Sequence, residues 1–418
     1  MTQPWLKLRV LAGGSLLMLS IASAAAQGAR VPAPDPLQGD GRVSPFYTWE
    51  QVIPSKPGTL LRSEPLEQSV GLAQASKQYR LLFSSTDGVG GKDPITVSGA
   101  LFIPKGKAPE GGWPIVAWGH GTFGGADACA HSWHARSYRD VRYLNRWLQE
   151  GYAVVASDYQ GIGVPGYNPQ FNNRSNSYTM LDSVRAALSS FSPLANKVLL
   201  VGQSQGGSAV VAAAGYAPIY APDVNVRGAI GTGIVYAAGR TLQPLKPVDP
   251  NANDKVEPTL AYSFYGVLAA QALDPGIDAS KIYTDRALPL LEQARTSCLA
   301  ALELDVEGAG LTRANTFKPG AKEELQRDRV GDVYRKFETL KLNVPLFIGA
   351  GADDSLGPAQ LALAEDTCAA GTTTEIHLYA DRDHSGTVNE SLRDSLPFAR
   401  KAINGEPIAS VCKPAPSR

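Results

Sequence analysis

A G-x-S-x-G motif at residues 202–206 constrains this chain more than any other feature, because an apolar run precedes it and a helix-forming run follows it. A serine hydroxyl is a poor nucleophile, so a chain that uses one holds it exposed on a strained turn from strand to helix. Glycines on both sides of Ser204 would let that strand and helix approach closely. In a chain of 418 residues with 42 glycines, chance alone gives roughly 0.3 such motifs, so the surrounding pattern has to support the interpretation.

The segments around the motif alternate between short apolar strands and helix-forming runs. Strands are predicted at 78–84, 95–104, 113–118, 152–157, 197–201, 227–234, 344–349 and 374–379. Helices are predicted at 138–150, 177–189, 207–216, 358–369 and 388–403. The first two strands form a predicted hairpin, and the later alternation favours a mostly parallel sheet covered by helices on both faces. We therefore predict an α/β fold.

The alternation stops between residues 236 and 335. Two or three helices are predicted there, notably at 258–273 and 284–302. An interruption of this size inside a regular fold is typical of an inserted segment, so we predict a core of residues 77–235 and 336–418 with 236–335 as a helical cap, or lid. Residues 27–76 are rich in proline and glycine without sustained periodicity, which predicts an extended N-terminal arm on the domain surface.

Residues 1–26 have the pattern of a secretory signal peptide. Lys7 and Arg9 supply positive charge, residues 10–21 are apolar, and small residues follow where cleavage would occur. An uncleaved membrane anchor is the alternative, but the apolar run is short for a span. No other segment is long and apolar enough to cross a bilayer. We therefore predict a secreted or periplasmic protein with no stable membrane span.

The charge of the chain narrows its partners. Its 39 basic and 39 acidic residues balance, and loss of Lys7 and Arg9 with the signal peptide would leave a net charge of −2. No basic block occurs, which argues against nucleic acid as the main partner and against a polybasic membrane anchor. This balance favours an uncharged or weakly charged substrate, and it leaves the oligomeric state open.

Serine catalysis needs a base within hydrogen-bond reach and an acid that orients the base. Of the five histidines, His384 lies in the loop after the last predicted strand, and we predict that it is the base rather than a structural surface residue. Two adjacent carboxylates, Asp353 and Asp354, follow an earlier strand. Aligning Leu356 with the apolar position of a recurring D-x-x-V pattern selects Asp353 as the acid, and Asp354 would then cap the next helix. The alternative makes both carboxylates helix caps.

The oxyanion of a tetrahedral intermediate needs backbone N–H groups that already point at it. Gln205, directly after the candidate nucleophile, would supply one of them. The second is expected from the glycine-rich loop 119–125, where Thr122 is the predicted donor. A plain glycine-rich turn is the alternative interpretation of this loop.

The chain has four cysteines after the predicted signal peptide, namely Cys129, Cys298, Cys368 and Cys412. An even number in an exported chain predicts two disulfides, and the sequence permits three pairings. A metal site of Cys129, His131 and His134 is an alternative, but a reduced thiolate is not expected outside the cell and no fourth ligand is evident. We predict no metal and no cofactor.

These motifs together resemble one known family. Residues 57–66, 119–122, 127–132 and 202–206, with the large cap, are similar to the secretory lipase family of α/β-hydrolases, of the lipase A type. The resemblance covers nearly the whole chain after residue 26 and implies an α/β-hydrolase fold, hydrolysis of carboxylic esters and no cofactor. Acylglycerols are the best-known substrates of that family.

The resemblance also bears on particular residues. The chain order Ser204, Asp353, His384 agrees with the nucleophile, acid, base order of α/β-hydrolases. The family's disulfides would carry over as Cys129 to Cys298 and Cys368 to Cys412. One departure is His131, because the family usually has proline at this position of its Cys-Ala-Pro-Ser segment. The departure leaves the candidate triad intact and concerns the shape of the local loop.

We therefore predict a secreted serine esterase or lipase that acts on a small-molecule or lipid ester. A serine peptidase or amidase of the same fold is one alternative, since the same triad cleaves amides. A non-catalytic binding protein of this fold is another, although the intact candidate triad argues against it. In the cap, Phe264, Tyr265, Val267 and Leu268 can line an acyl tunnel or pack as the core of a helix at i, i+3, i+4 spacing.

Overall fold

A single mixed sheet organises the protein. The computed structural model describes residues 43–247, 251–326 and 336–414, so the predicted signal peptide lies outside the described residues. The strands found there are β1 Leu60–Pro65, β2 Ala75–Thr86, β3 Pro94–Pro104, β4 Trp113–Gly119, β5 Ala153–Ser157, β6 Leu194–Gln203, β7 Val226–Thr232, β8 Leu346–Gly351 and β9 Thr374–Tyr379. Their order across the sheet is β1-β2-β3-β5-β4-β6-β7-β8-β9.

Strands β1, β2, β3 and β5 pair antiparallel, and the pairs from β5 through β4, β6, β7 and β8 to β9 are parallel. This arrangement confirms the predicted hairpin of β2 and β3 and the mostly parallel sheet. The carboxyl ends of the parallel strands therefore meet at one edge of the sheet, which is where ligands bind in open α/β folds.

Helices cover both faces of the sheet. The α-helices of the core that precede the insertion are α1 Tyr138–Gln149, α2 Asn173–Ser190 and α3 Gln205–Tyr220. The inserted region contains α4 Ala261–Leu273, α5 Ala279–Ile282, α6 Leu288–Ala294, α7 Leu299–Gly308, α8 Arg313–Thr316 and α9 Ala321–Gln326. The chain then forms α10 Gly357–Ala369, α11 Gly386–Glu390 and α12 Leu392–Asn404.

Alternating side chains of the central strands divide the core into two layers. In β4, Ile115 and Ala117 join a cluster that includes residues of α2, α3 and α10. Val116 and Trp118 point to the opposite face and join residues of α1 and α12. Since all four side chains are buried, both faces of β4 are shielded from water, as expected for the interior of a parallel sheet.

The N-terminal arm differs from the prediction for residues 27–76. Its strand β1 pairs antiparallel with β2 at the edge of the sheet, so part of the arm belongs to the sheet rather than lying on the surface. Phe46 and Tyr47 are also buried, in a small apolar cluster with Leu82 and Val164. Strand β1 lies at the edge of the sheet and none of its residues is fully buried, so its sequence lacks a clear apolar alternation.

The described residues of the predicted cap, 236–247 and 251–326, form what we call the insertion. Its helices bury a separate apolar cluster that contains Phe264, Leu268 and Leu302. The single helix predicted at 284–302 is instead two helices, α6 and α7, because Cys298 takes an extended conformation and caps α7. Nowhere in the described part of the chain does a helix combine the length and apolarity needed to cross a bilayer.

Candidate active site

Ser204 stands on a sharp turn between β6 and α3. Its φ of 58° and ψ of −118° place a non-glycine residue in a conformation that L-amino acids rarely adopt. The turn is held by the Ser204 amide, which donates to the Thr232 carbonyl at 2.9 Å, and by the Ser208 amide, which donates to the Ser204 carbonyl at 3.0 Å. Strain of this kind persists only where the surrounding structure enforces it, and it is common at nucleophiles.

Close backbone packing explains the glycines of the motif. A Cβ atom on Gly206 would lie 1.9 Å from the carbonyl oxygen of Gly119, and one on Gly202 would lie 2.2 Å from the carbonyl oxygen of Gly206. Both distances are far below any real contact, so larger residues would separate β4, β6 and the start of α3. The glycines thus bring the loop after β4 against the turn that carries Ser204.

His384 is oriented by Asp354 and not by Asp353. Nδ1 of His384 lies 2.9 Å from Oδ2 of Asp354, whose side chain is only 1% exposed. The expectation that Asp353 points at His384 is therefore wrong by one residue. Asp353 is turned outward, is 33% exposed and forms an ion pair with Lys246 of the insertion.

The local backbone explains which carboxylate turns inward. Oδ1 of Asp354 accepts a hydrogen bond from the Leu356 amide at 2.9 Å, and its Oδ2 also accepts one from Nε2 of Gln360 at 3.3 Å. Asp354 therefore stabilises the start of α10 and orients His384 at the same time. From the sequence, capping and orienting are expected of two different carboxylates, whereas one carboxylate with two oxygens can do both.

The two residues predicted to supply the oxyanion N–H groups lie side by side. Oγ1 of Thr122 donates to Oε1 of Gln205 at 3.0 Å. Nε2 of Gln170 donates to the same oxygen at 2.9 Å, and it lies 3.3 Å from Oγ1 of Thr122. Gln170 was not identified from the sequence, because it belongs to the irregular segment between β5 and α2, where no motif marks it.

A buried aromatic layer supports the loop that contains Thr122. The ring centroid of His131 lies 4.5 Å from that of His120 and 4.3 Å from that of Phe123. Nδ1 of His120 donates to the Gly121 carbonyl at 2.7 Å, and the Tyr159 hydroxyl donates to the His120 carbonyl at 2.9 Å. Burial lowers the pKa of both His120 and His131, so both rings are held neutral inside the protein.

Both disulfides are present with the pairing that the resemblance implies, Cys129 to Cys298 and Cys368 to Cys412, with Cα–Cα distances of 5.5 and 6.0 Å. Because its sulfur is bonded to Cys298, Cys129 offers no thiolate, and this excludes the alternative metal site. The first disulfide connects the segment that follows the glycine-rich loop 119–125, the candidate oxyanion loop, to the insertion. Beside it, the Leu299 amide donates to the Phe123 carbonyl at 2.7 Å.

A cavity of about 470 Å³ brings the candidate residues together. Its lining includes Ser204, Gln205, Thr122, His384, Asp353 and Asp354. The core adds apolar surface from Phe171, Val235 and Leu356, whereas the insertion adds Glu257, Thr259, Tyr262 and Arg313.

The apolar residues Phe264, Tyr265, Val267 and Leu268 are buried in the insertion's own core and are absent from this lining. They therefore pack as a helix core and form no acyl tunnel.

Known proteins that are similar to this chain indicate its family. The model of the family described as Secretory lipase matches residues 136–407. The chain is 30% identical over 208 residues to a protein of Mycobacterium tuberculosis named probable inactive lipase MT1628, an alignment that covers 45% of this chain and 44% of that protein. It is 27% identical over 216 residues to lipase A of Moesziomyces aphidis, covering 47% of this chain and 44% of that protein. The chain thus spans about half the length of the curated relatives it matches.

Among solved structures, Candida antarctica lipase A in its closed state superimposes with a TM-score of 0.69 at 22% identity, and the match covers 90% of each chain. At this identity the similarity concerns the fold alone. Because it covers 90% of this chain, the structural match extends beyond residues 136–407.

Proposed function

The chain belongs to the secretory lipase family of α/β-hydrolases, and from that premise we propose that it hydrolyses carboxylic esters through an acyl-enzyme on Ser204. The observation that carries this proposal is the hydrogen bond between His384 and the buried Asp354 in a cavity that Ser204 also lines. A nucleophile, a base and an orienting acid are the groups that acyl transfer requires.

Each group has a role that follows from its chemistry. An ionised carboxylate only accepts hydrogen bonds, so Nδ1 of His384 carries the proton that faces Asp354 and leaves Nε2 free to accept one. His384 takes the proton of Ser204 as its Oγ attacks the ester carbonyl, and Asp354 stabilises the resulting imidazolium. We assign the N–H groups of Gln205 and Thr122 to the oxyanion. His384 then protonates the departing alcohol. Water attacks the acyl-enzyme while His384 takes its proton, and the bond to Ser204 breaks as His384 returns a proton to Oγ and the carboxylic acid leaves.

We also propose that residues 236–335 act as a cap that sets the substrate range without supplying catalytic groups. Four of its side chains line the cavity, and three of them, Glu257, Thr259 and Arg313, are linked by hydrogen bonds. Apolar surface comes mainly from the core side of the cavity. We infer that the acyl group of the ester rests against Phe171, Val235 and Leu356, because burial of each methylene there contributes about 0.8 kcal/mol.

Export to the periplasm or the extracellular space is part of the proposal. The two disulfides favour an oxidising compartment, and residues 1–26 have the signal-peptide pattern. N-terminal sequencing of the exported protein should begin near residue 27. A mature protein that still begins at Met1 would contradict cleavage.

Two alternatives need separate tests. An amidase of the same fold would use the same groups, and the name of the mycobacterial relative keeps a non-catalytic binding protein in consideration. The complete set of Ser204, His384 and Asp354 favours catalysis over binding alone. Ester hydrolysis is favoured over amide hydrolysis by the family to which the chain belongs.

A fluorophosphonate probe, which labels activated serines, separates an enzyme from a binding protein. We expect labelling of the parent protein and none of Ser204→Ala. Ser208→Ala is the matched control, because Ser208 lines the same cavity one turn further along α3, and this variant should keep the label. No labelling of the folded parent would reject the proposed catalysis. Nitrophenyl esters compared with anilides of the same acyl groups then separate an esterase from an amidase.

A further inference from the structure

The guanidinium of Arg139 connects two loops of the candidate active site. Arg139 is the second residue of α1. Its Nη2 donates to Oε1 of Gln203 at 3.1 Å, and its Nη1 donates to Oγ of Ser385 at 3.2 Å. Gln203 directly precedes Ser204, and Ser385 directly follows His384. A single side chain thus bridges the residues adjacent to the nucleophile and to the base.

The contact of Arg139 with Gln203 also affects the oxyanion loop, residues 119–125. A Cβ atom on Gly121 would lie 2.4 Å from Oε1 of Gln203, so the amide of Gln203 packs directly against the oxyanion loop. Arginine can only donate hydrogen bonds, and this requires the amide oxygen of Gln203 to face Arg139. Nε2 of Gln203 is consequently buried without a hydrogen-bond partner among the described residues. The amide is therefore held in one orientation by Arg139.

Arg139 is itself fixed in place from two sides. Its Nε donates to Oδ1 of Asp140 at 2.7 Å, and the Asp140 side chain is buried. Nδ2 of Asn389 donates to the Arg139 backbone carbonyl at 3.1 Å, which ties the start of α1 to α11 just beyond His384. A planar guanidinium presents its donors in a fixed fork, so these anchors determine the directions of both remaining N–H groups.

We propose that Arg139 is a positioning residue that fixes the Ser204 turn, the oxyanion loop and the His384 loop at set distances from one another. It touches none of the reacting groups that we have assigned, and it acts through Gln203 and Ser385. The proposal rests on the proposed ester hydrolysis, because the relative positions of these loops affect catalysis only if the loops act on one substrate. We call the contacts of Arg139 with Gln203 and Ser385 the clamp. Misplacement of catalytic groups by about 1 Å can lower a rate by about 100-fold, so loss of the clamp should have a measurable effect on kcat.

Three variants on α1 test the clamp. Arg139→Met removes every donor. Arg139→Lys keeps a positive charge beside Asp140 but cannot reach Gln203 and Ser385 together. Arg142→Met is the matched control, because Arg142 is exposed, lies one turn further along the same helix and also loses one positive charge. We expect kcat on a nitrophenyl ester to fall about 10- to 100-fold in both Arg139 variants, with KM within about twofold. Arg142→Met should match the parent.

Two further readouts separate positioning from general stability. Arg139→Met leaves Asp140 buried without its ion-pair partner and should lower the melting temperature, whereas Arg139→Lys should lower it less while losing similar activity. Ser385→Ala leaves the pair of Arg139 and Asp140 intact and should also lower kcat. Because both act on one contact, the double variant Arg139→Met/Ser385→Ala should lose little more activity than Arg139→Met alone.

The rate of fluorophosphonate labelling reports on Ser204 without an ester substrate and should fall in parallel with kcat in both Arg139 variants. If the parent is labelled and hydrolyses esters but folded Arg139→Lys and Arg139→Met keep its kcat and labelling rate, the clamp is rejected and the proposed function stands. If the folded parent neither reacts with the probe nor hydrolyses esters, the proposed function itself fails. Equal losses of kcat in Arg142→Met would also overturn the clamp, because they would point to a general effect of charge.

Discussion

Nδ1 of His384 lies 2.9 Å from Oδ2 of Asp354, and this carboxylate is almost fully buried although its neighbour Asp353 is one-third exposed. The Leu356 amide fixes the other oxygen of Asp354 at 2.9 Å. The acid is thus held rigidly before substrate binds, which is the condition for orienting an imidazole and stabilising its charged form.

Exchange of each carboxylate for its amide tests this relationship. In Asp354→Asn, the amide no longer offers the negative charge that stabilises the imidazolium, so we expect kcat to fall by about 10⁴-fold, as for the equivalent change in serine proteases. Asp353→Asn is the matched control, since it alters only the partly exposed ion pair with Lys246, and kcat should stay within a few-fold of the parent. Steady-state hydrolysis of a nitrophenyl ester measures both. The reverse order of losses would return the role to Asp353.

The residues of the insertion that line the cavity should control substrate preference. Tyr262 lines the cavity, whereas Phe264, two residues later on α4, is fully buried in the insertion's core. We expect Tyr262→Ala to change the ratio of kcat/KM for long and short acyl esters by several-fold, because it alters the cavity wall. Phe264→Leu should lower the melting temperature and leave that ratio unchanged. A changed ratio in Phe264→Leu alone would contradict the assignment of Phe264 to the core.

The two disulfides should differ in their effect on catalysis. Cys129 and Cys298 are 169 residues apart, and Cys368 and Cys412 are 44 apart, so the chain-entropy model gives about 5 and about 4 kcal/mol of stabilisation respectively. Only the first bond packs against the oxyanion loop, where a Cβ on Gly124 would lie 2.7 Å from Sγ of Cys129. We therefore expect Cys129→Ser/Cys298→Ser to lower both stability and, by about tenfold, kcat.

Cys368→Ser/Cys412→Ser is the matched comparison. This bond holds the C-terminal segment beside β9, where the Val411 amide donates to the Thr374 carbonyl at 2.7 Å, far along the chain from the oxyanion loop. Its loss should lower the melting temperature with kcat retained at 25 °C. Equal losses of kcat in the two double variants, measured below their melting temperatures, would show that the first disulfide has no special role at the site.

His131 should make the protein less stable in acid. Burial, and then the proximity of His120 and Arg136, holds the pKa of His131 well below its usual value of 6.5. The unfolded chain therefore binds a proton at His131 near pH 6.5 while the folded protein does not, so the free energy of unfolding falls as the pH drops below about 6.5. His120, whose pKa is also lowered, adds to the same slope.

Replacement of His131 tests the sign of this pH dependence of the unfolding free energy. His131→Pro, which introduces the residue usual in the family, should flatten the decline of unfolding free energy between pH 6.5 and pH 5, as measured by denaturant unfolding. His134→Asn is the matched control, because His134 is exposed in the same segment, and it should keep the slope of the parent. An unchanged slope in His131→Pro would assign the acid sensitivity to other groups.

Much of the core was predictable because its signals are local. The alternation of apolar strands and helices located β4, α1, β5, β6 and α3 within a few residues, and the glycines around Ser204 predicted the turn between β6 and α3. Strand periodicity, helix-forming runs and small residues at a tight turn all depend on residues close in sequence. The edge strand β1 was missed because its residues are only partly buried or exposed, and its sequence therefore lacks the apolar alternation of an inner strand.

By itself, then, the sequence determined the alternation of strands and helices in the core, and Ser204 and His384 as the candidate nucleophile and base. The tertiary structure alone decided which carboxylate faces His384, because adjacent residues of a loop point in different directions and the choice depends on Leu356, Gln360 and Lys246. It likewise decided the lining of the cavity and the bridge that Arg139 makes between two loops. The cavity lining and the contacts of Arg139 with Gln203 and Ser385 join segments far apart in the chain, and no local pattern encodes them.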